Sequence, residues 1–132
     1  MARKLAYDHY GLDVYETDDG CEYAVGSDAE ADDACKEYIE QTAWAFQASF
    51  IASHAPGWVT ESIVEAVRGE RCEDANDDIL AMIEAGGGLA DFVADAIRSD
   101  GRGHFLASND GEEVDSDSIE GLPPGLVAFR IN

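Results

Sequence analysis

The stretch Leu12-Asp13-Val14-Tyr15-Glu16-Thr17-Asp18-Asp19-Gly20-Cys21-Glu22-Tyr23-Ala24-Val25-Gly26-Ser27-Asp28-Ala29-Glu30 decides the fold. It alternates through Leu12, Asp13, Val14 and Tyr15, breaks at Asp18-Asp19-Gly20, and resumes through Glu22, Tyr23, Ala24 and Val25. Alternation sends successive side chains to opposite faces of a strand, and an acidic turn closed by glycine reverses the chain, so a β-hairpin is predicted. Ser27 and Glu30 follow at capping-box spacing, where the hydroxyl takes the amide three residues on and the carboxylate reaches back. A helix therefore starts at Asp28.

That helix is predicted to run over about residues 28–54, stopped by Pro56-Gly57. Cys35, Tyr38, Ile39, Thr42, Phe46 and Phe50 form one stripe, with Glu30, Asp33, Glu37 and Glu40 opposite. Trp44 and Ile51 continue the outer line, so the second half is apolar all round and reads as the buried centre of the domain. Shorter helices are predicted over 60–68, 72–85 and 89–99, closed by Gly69, by Gly86-Gly87-Gly88 and by the turn Asp100-Gly101-Arg102-Gly103. Phe105, Leu106 and Ala107 then begin a strand, an acidic loop leads to Pro123-Pro124-Gly125, and 126–131 reads as a closing strand. The order ββααααββ predicts one α+β domain over residues 1–132. Its terminal strands form an antiparallel sheet with a four-helix middle packed on one face.

Charge is the other dominant feature. The 132 residues carry 29 Asp and Glu against 8 Lys and Arg, a net −21. Residues 8–40 hold twelve acids against Lys36; 61–100 hold eleven against Arg68, Arg71 and Arg98; 110–120 hold six and no base. Such self-repulsion opposes the compact state and exceeds the roughly 2–8 charges that keep a small domain soluble. It is spread over every predicted element, so the fold itself is coated. Direct nucleic-acid binding, which relies on Lys and Arg against phosphate, is disfavoured by the sign.

Met1-Ala2-Arg3-Lys4 opens without the apolar run of a signal peptide. The uncharged segment 41–60 carries Gln41, Gln47, Ser49, Ser53 and the Pro56-Gly57 break, which do not suit a membrane span. A soluble intracellular protein is expected, with no membrane partner. Cys21, Cys35 and Cys72 are odd in number and lack a Cys-x-x-Cys pair, so they read as small buried hydrophobes in a reducing compartment. Joining them to His9, His54 or His104 as metal ligands is the lesser reading.

No nucleophile elbow is present. Asp100-Gly101-Arg102-Gly103-His104 gathers an acid, a base and an imidazole, yet it also describes an ordinary turn, with His104 a packed histidine. The acidic loops 13–19 and 110–117 lack EF-hand spacing. No catalytic residue, cofactor or designed metal site is expected.

Duplex DNA carries one charge per about 3.4 Å of strand. A helix with acids at the spacing of Glu30, Asp33, Glu37 and Glu40 offers one per about 5 Å. Several such faces approach what a DNA-binding groove expects. The predicted contact residues for a basic DNA-binding surface are Asp28, Glu30, Asp33, Glu37, Glu40, Glu73, Asp74, Asp77 and Asp78, with Asp110, Glu112, Glu113 and Asp115. Two other readings compete. Two Lys against six Arg with abundant Asp and Ala suits adaptation to high salt, and Trp44, Ile51 or Trp58 would serve a small protein-binding adaptor.

The C-terminal third, through Asp100-Gly101-Arg102-Gly103-His104-Phe105-Leu106, Asp110-Gly111-Glu112-Glu113 and Phe129-Arg130-Ile131-Asn132, resembles small acidic phage-encoded proteins, most without an assigned function. The resemblance implies a phage or prophage origin. Acidic phage proteins of this size include anti-CRISPR and antirestriction decoys, so it also implies an inhibitor of a host DNA-targeting defence complex, anti-CRISPR first.

Overall fold

The computed structural model describes residues 2–132. The chain falls into two compact units, Met1–Tyr38 with Ser99–Asn132, and Ile39–Arg98.

The first unit is built on five strands, β1 (Arg3–His9), β2 (Leu12–Glu16), β3 (Glu22–Gly26), β4 (Glu113–Asp115) and β5 (Val127–Arg130). They form one antiparallel sheet in the order β1-β2-β3-β5-β4. The predicted hairpin is β2–β3, with Asp13 opposite Val25 and Glu16 opposite Glu22. Val14, Ala24 and Phe129 stand in register across three strands and are fully buried. On the opposite face Val25 and Ala128 pack with Leu122, and Ile119 and Leu126 cover them. The capping box forms as read: the Ser27 amide donates to Glu30 Oε1 at 2.9 Å and the Glu30 amide to Ser27 Oγ at 3.1 Å. Helix α1 (Asp28–Thr42) starts there and buries Ala31, Ala34 and Cys35.

Three features of this unit depart from expectation. β1 was not foreseen: it is an edge strand with most residues exposed, so burial imposes little alternation on it. It joins β2 through Tyr10-Gly11, both at positive φ (53° and 88°), the two-residue turn that suits strand twist. Tyr10 holds that unfavourable backbone while its ring meets Tyr38 edge-on, centroids 5.2 Å apart. The strand expected at 105–107 is instead a short helix, α6 (Arg102–Leu106). Three buried apolar residues in a row fit a buried helical turn as well as a strand, so periodicity could not decide. Gly103 anchors the helical form, because a Cβ there would lie 2.5 Å from the Gly111 carbonyl oxygen. Finally, the supposed acidic loop holds β4 and a 3-10 turn at Ser116–Ser118. Buried Ser116 pins it, donating its amide to the Leu126 carbonyl and accepting the Leu126 amide on Oγ.

The second unit is helical. The helix predicted to reach about residue 54 stops at Thr42, passes through a 3-10 turn (Ala43–Ala45), and restarts as α2 (Ala48–Ser53). Side chains distant in sequence cap the break. Asn76 Nδ2 donates to the Glu40 carbonyl at 2.7 Å and Asn76 Oδ1 accepts the Trp44 amide at 3.0 Å. Arg68 donates to the Trp44 and Phe46 carbonyls at 2.9 and 2.6 Å. A helix break whose orphaned backbone groups find such partners loses little. α3 (Glu61–Arg68) follows, its start capped by Thr60 and Val64 buried. A 3-10 turn (Cys72–Ala75) leads into α4 (Asn76–Gly86), then α5 (Leu89–Asp100). Phe46, Phe50 and Phe92 make a ring cluster with centroids 5.0–5.6 Å apart. Gly86 lies so close to another backbone that a Cβ would sit 2.2 Å from the His54 carbonyl oxygen. Ile51 is buried as predicted and Trp44 half-buried. The α+β class holds, with terminal strands in one antiparallel sheet and helices between them.

Candidate functional site

Three acids of the first unit are ordered by one cation. Arg102 opens α6, and its guanidinium binds Glu113 of β4 in a bidentate fork, Nε to Oε1 at 2.8 Å and Nη2 to Oε2 at 3.0 Å. It also donates to Asp28 Oδ1 at 2.9 Å, Asp32 Oδ1 at 3.1 Å and the Asp28 carbonyl. The Arg102 side chain is only 14% exposed, whereas Asp28 and Asp32 are 81% and 61% exposed, so the cation lies beneath a carboxylate surface. The hydrogen bonding it donates to Glu113 is the main reason its pKa stands above even the ordinary arginine value. One positive charge facing three negative ones leaves the cluster anionic and fixes its geometry.

The capping-box end of α1, the β4 strand and the α6 start therefore converge. Of the predicted contacts, Asp28 and Glu113 belong to this cluster and are partly neutralised by it. Glu30, Asp33 and Glu37 are exposed along α1, while Glu40 is half-buried. The Ser27 amide holds the Glu30 carboxyl below its usual range, so it stays ionised while it caps. Asp110, Glu112 and Asp115 are exposed around β4, with Asp110 accepting the Glu112 amide at 3.0 Å. Asp32 and Arg102 were not among the predicted contacts. No local pattern marks them, because the partners of Arg102 lie 70 and 74 residues before it and 11 after it.

In the second unit Glu73 and Asp74 occupy the 3-10 turn, and Asp77 and Asp78 the first turn of α4, all exposed. Arg71 engages Asp78 Oδ2 at 2.7 Å and the Asp74 carbonyl at 3.0 Å, leaving Glu73 and Asp77 as the outward charges of that group.

Other candidate chemistry is placed plainly. His104 is exposed and not packed in the core; its imidazole lies on α6 and its ring meets Phe105 edge-on. His9 is half-buried, donating Nε2–H to the Leu106 carbonyl at 2.9 Å, and burial lowers its pKa. His54 Nε2 lies 3.1 Å from Asp95 Oδ2 within the Phe50–Phe92 cluster. Only Cys35 fits the buried-hydrophobe expectation: burial pushes its thiol up to about 12, whereas Cys21 is half-buried and Cys72 exposed. Among the described residues no group of three His, Cys, Asp or Glu is placed to hold a metal ion. An acidic cleft is lined by Asp18, Asp19, Tyr23 and Glu120. Asp19 there is held ionised, chiefly by the Thr17 hydroxyl. Among the described residues no helix is long and apolar enough to cross a membrane. Compared with family models, curated proteins and solved structures, the chain matches none.

Proposed function

We propose that the chain is a non-catalytic decoy of nucleic acid that occupies a basic DNA-binding surface of a bacterial host defence complex, of the CRISPR-effector kind. One observation carries the proposal: α1 exposes Glu30, Asp33 and Glu37, and in the same compact unit Arg102 pre-assembles Asp28, Asp32 and Glu113 into a rigid carboxylate cluster. Charges already held in place lose little conformational entropy on docking, so more of their attraction to Lys and Arg becomes affinity. Opposite potentials steer encounter, and docking releases the anions that otherwise accompany the partner's basic groups. The phage-type origin rests on the C-terminal resemblance, and the choice of a DNA-targeting complex on the charge spacing.

Immobilised chain in a bacterial lysate at about 0.15 M salt is expected to retain subunits of a DNA-targeting complex that added duplex DNA releases. Reversing Asp33, Glu37 and Glu40 to Lys abolishes retention while the circular dichroism stays native. Retention that duplex DNA does not disturb, or that survives the reversal, contradicts the proposal.

A further inference from the structure

The second unit carries an aromatic side chain that its fold does not use. Trp58 is 72% exposed. It sits in a tight turn closed by the Val59 amide donating to the Pro56 carbonyl at 2.8 Å. Val59 beside it is buried at 4% exposure, and Thr60 caps α3 by accepting the Ile63 amide on its hydroxyl. The corner is pinned on both sides while the indole is held out. Glu61 opens α3 and Glu65 follows one turn later; both are exposed, and neither forms an ion pair among the described residues. The three bases of this unit are engaged elsewhere. Arg68 binds the Trp44 and Phe46 carbonyls, Arg71 binds Asp78, and Arg98 binds Asp95.

An indole face is electron-rich, and on a corner whose following helix opens with two exposed carboxylates that pair with no internal cation it complements a planar cation. Guanidinium fits both features, stacking on the ring while its edge donates to carboxylate; an ammonium is a compact point charge that does not stack. A nucleotide presents the same pair, a flat π-face next to an anion, and arginine planes on nucleic-acid-binding proteins stack on bases. We infer that Trp58, with Glu61 and Glu65, docks an arginine-bearing face of a basic protein partner. This rests on the decoy proposal for the partner's charge and goes beyond it in naming arginine and a second contact point.

Labelled nona-arginine and nona-lysine peptides, titrated against the whole chain at moderate salt, separate the two ideas. The arginine peptide is expected to bind about two- to fivefold tighter and to change tryptophan emission. In W58A the preference vanishes while nona-lysine affinity holds; W58F keeps part of the preference and loses the emission change. E61Q with E65Q weakens both peptides alike. Equal affinities for the wild type, or a preference that survives in W58A, overturn the inference and leave the decoy proposal standing. If neither peptide binds, the basic-partner proposal itself fails. Self-association of the chain that W58A abolishes would assign the corner to a second copy and also overturn it.

Discussion

In the unit formed by residues 1–38 and 99–132 one arginine gathers three carboxylates, whereas in the unit 39–98 three arginines are spent singly, one of them on backbone carbonyls. Both units are strongly acidic, so the difference is one of organisation. In the first a single largely covered guanidinium shapes a surface; in the second Arg68 closes a helix break, while Arg71 and Arg98 sit in single exposed pairs. This is why the proposed decoy face is centred on α1 and β4, and why the Trp58 corner of the other unit is left with unmatched negative charge.

Each unit contains one glycine where two backbones meet, and these give the largest expected effects. Gly86→Ala drives a methyl into the His54–Ala55 backbone, and Gly103→Ala into the 111–113 backbone, where no flexible side chain can yield. Each is expected to cost about 3 kcal/mol in urea unfolding, at the upper end of overpacking. A silent G103A would mean that the α6 contact does not hold the first unit together.

The two polar hubs come next. Arg102→Met leaves Asp28, Asp32 and Glu113 facing one another without their cation and is expected to cost about 2–3 kcal/mol, below a fully buried pair because the acids reach solvent. Arg102→Lys recovers less than half, since a lysine cannot reproduce the fork. Asn76→Ala strands the Glu40 carbonyl and the Trp44 amide for about 2 kcal/mol. If R102M costs no more than a surface ion pair, the contrast between the units collapses.

Those hubs also mark where the sequence stopped being informative. The β2–β3 hairpin, the Ser27–Glu30 box and the closing strand were legible because each signal lies within a few residues. The helix break after Thr42 was not, because its caps come from Asn76 and Arg68. The Arg102 cluster was hidden for the same reason, although Glu30, Asp33 and Glu37 on α1 were correctly placed outside, with Glu40 half-buried instead. β1 escaped because an exposed edge strand need not alternate, and Tyr10 is an unusual residue at positive φ. The Phe105–Leu106 segment was misread because buried helix and buried strand share an apolar run.

Smaller effects depend on pH. Burial lowers the His9 pKa from its ordinary 6.5, so the folded state prefers the neutral ring. Stability is then full above 6.5 and falls below it, as the unfolded chain takes up the proton first. His9→Gln, which keeps a donor for the Leu106 carbonyl, should flatten that slope below pH 6.5. Glu30 is lowered from 4.5 by the Ser27 amide, so its contribution is present above 4.5 and is lost as pH falls through the folded value. Glu30→Gln removes that acid-side component. Ser27→Ala is expected to cost about 1 kcal/mol at neutral pH.

Salt adaptation remains the rival account of the charge, and withdrawing salt addresses it. A chain whose acids serve a partner keeps its native circular dichroism in dilute buffer, while a hydration-dependent one unfolds there. The most direct test of the decoy claim is target-DNA cleavage by the retained complex, measured as the chain and the DNA are varied together. Inhibition that excess DNA relieves, and that the Asp33, Glu37 and Glu40 reversals abolish, is the predicted result. Cleavage undiminished by saturating chain, or inhibition indifferent to DNA concentration, would contradict it.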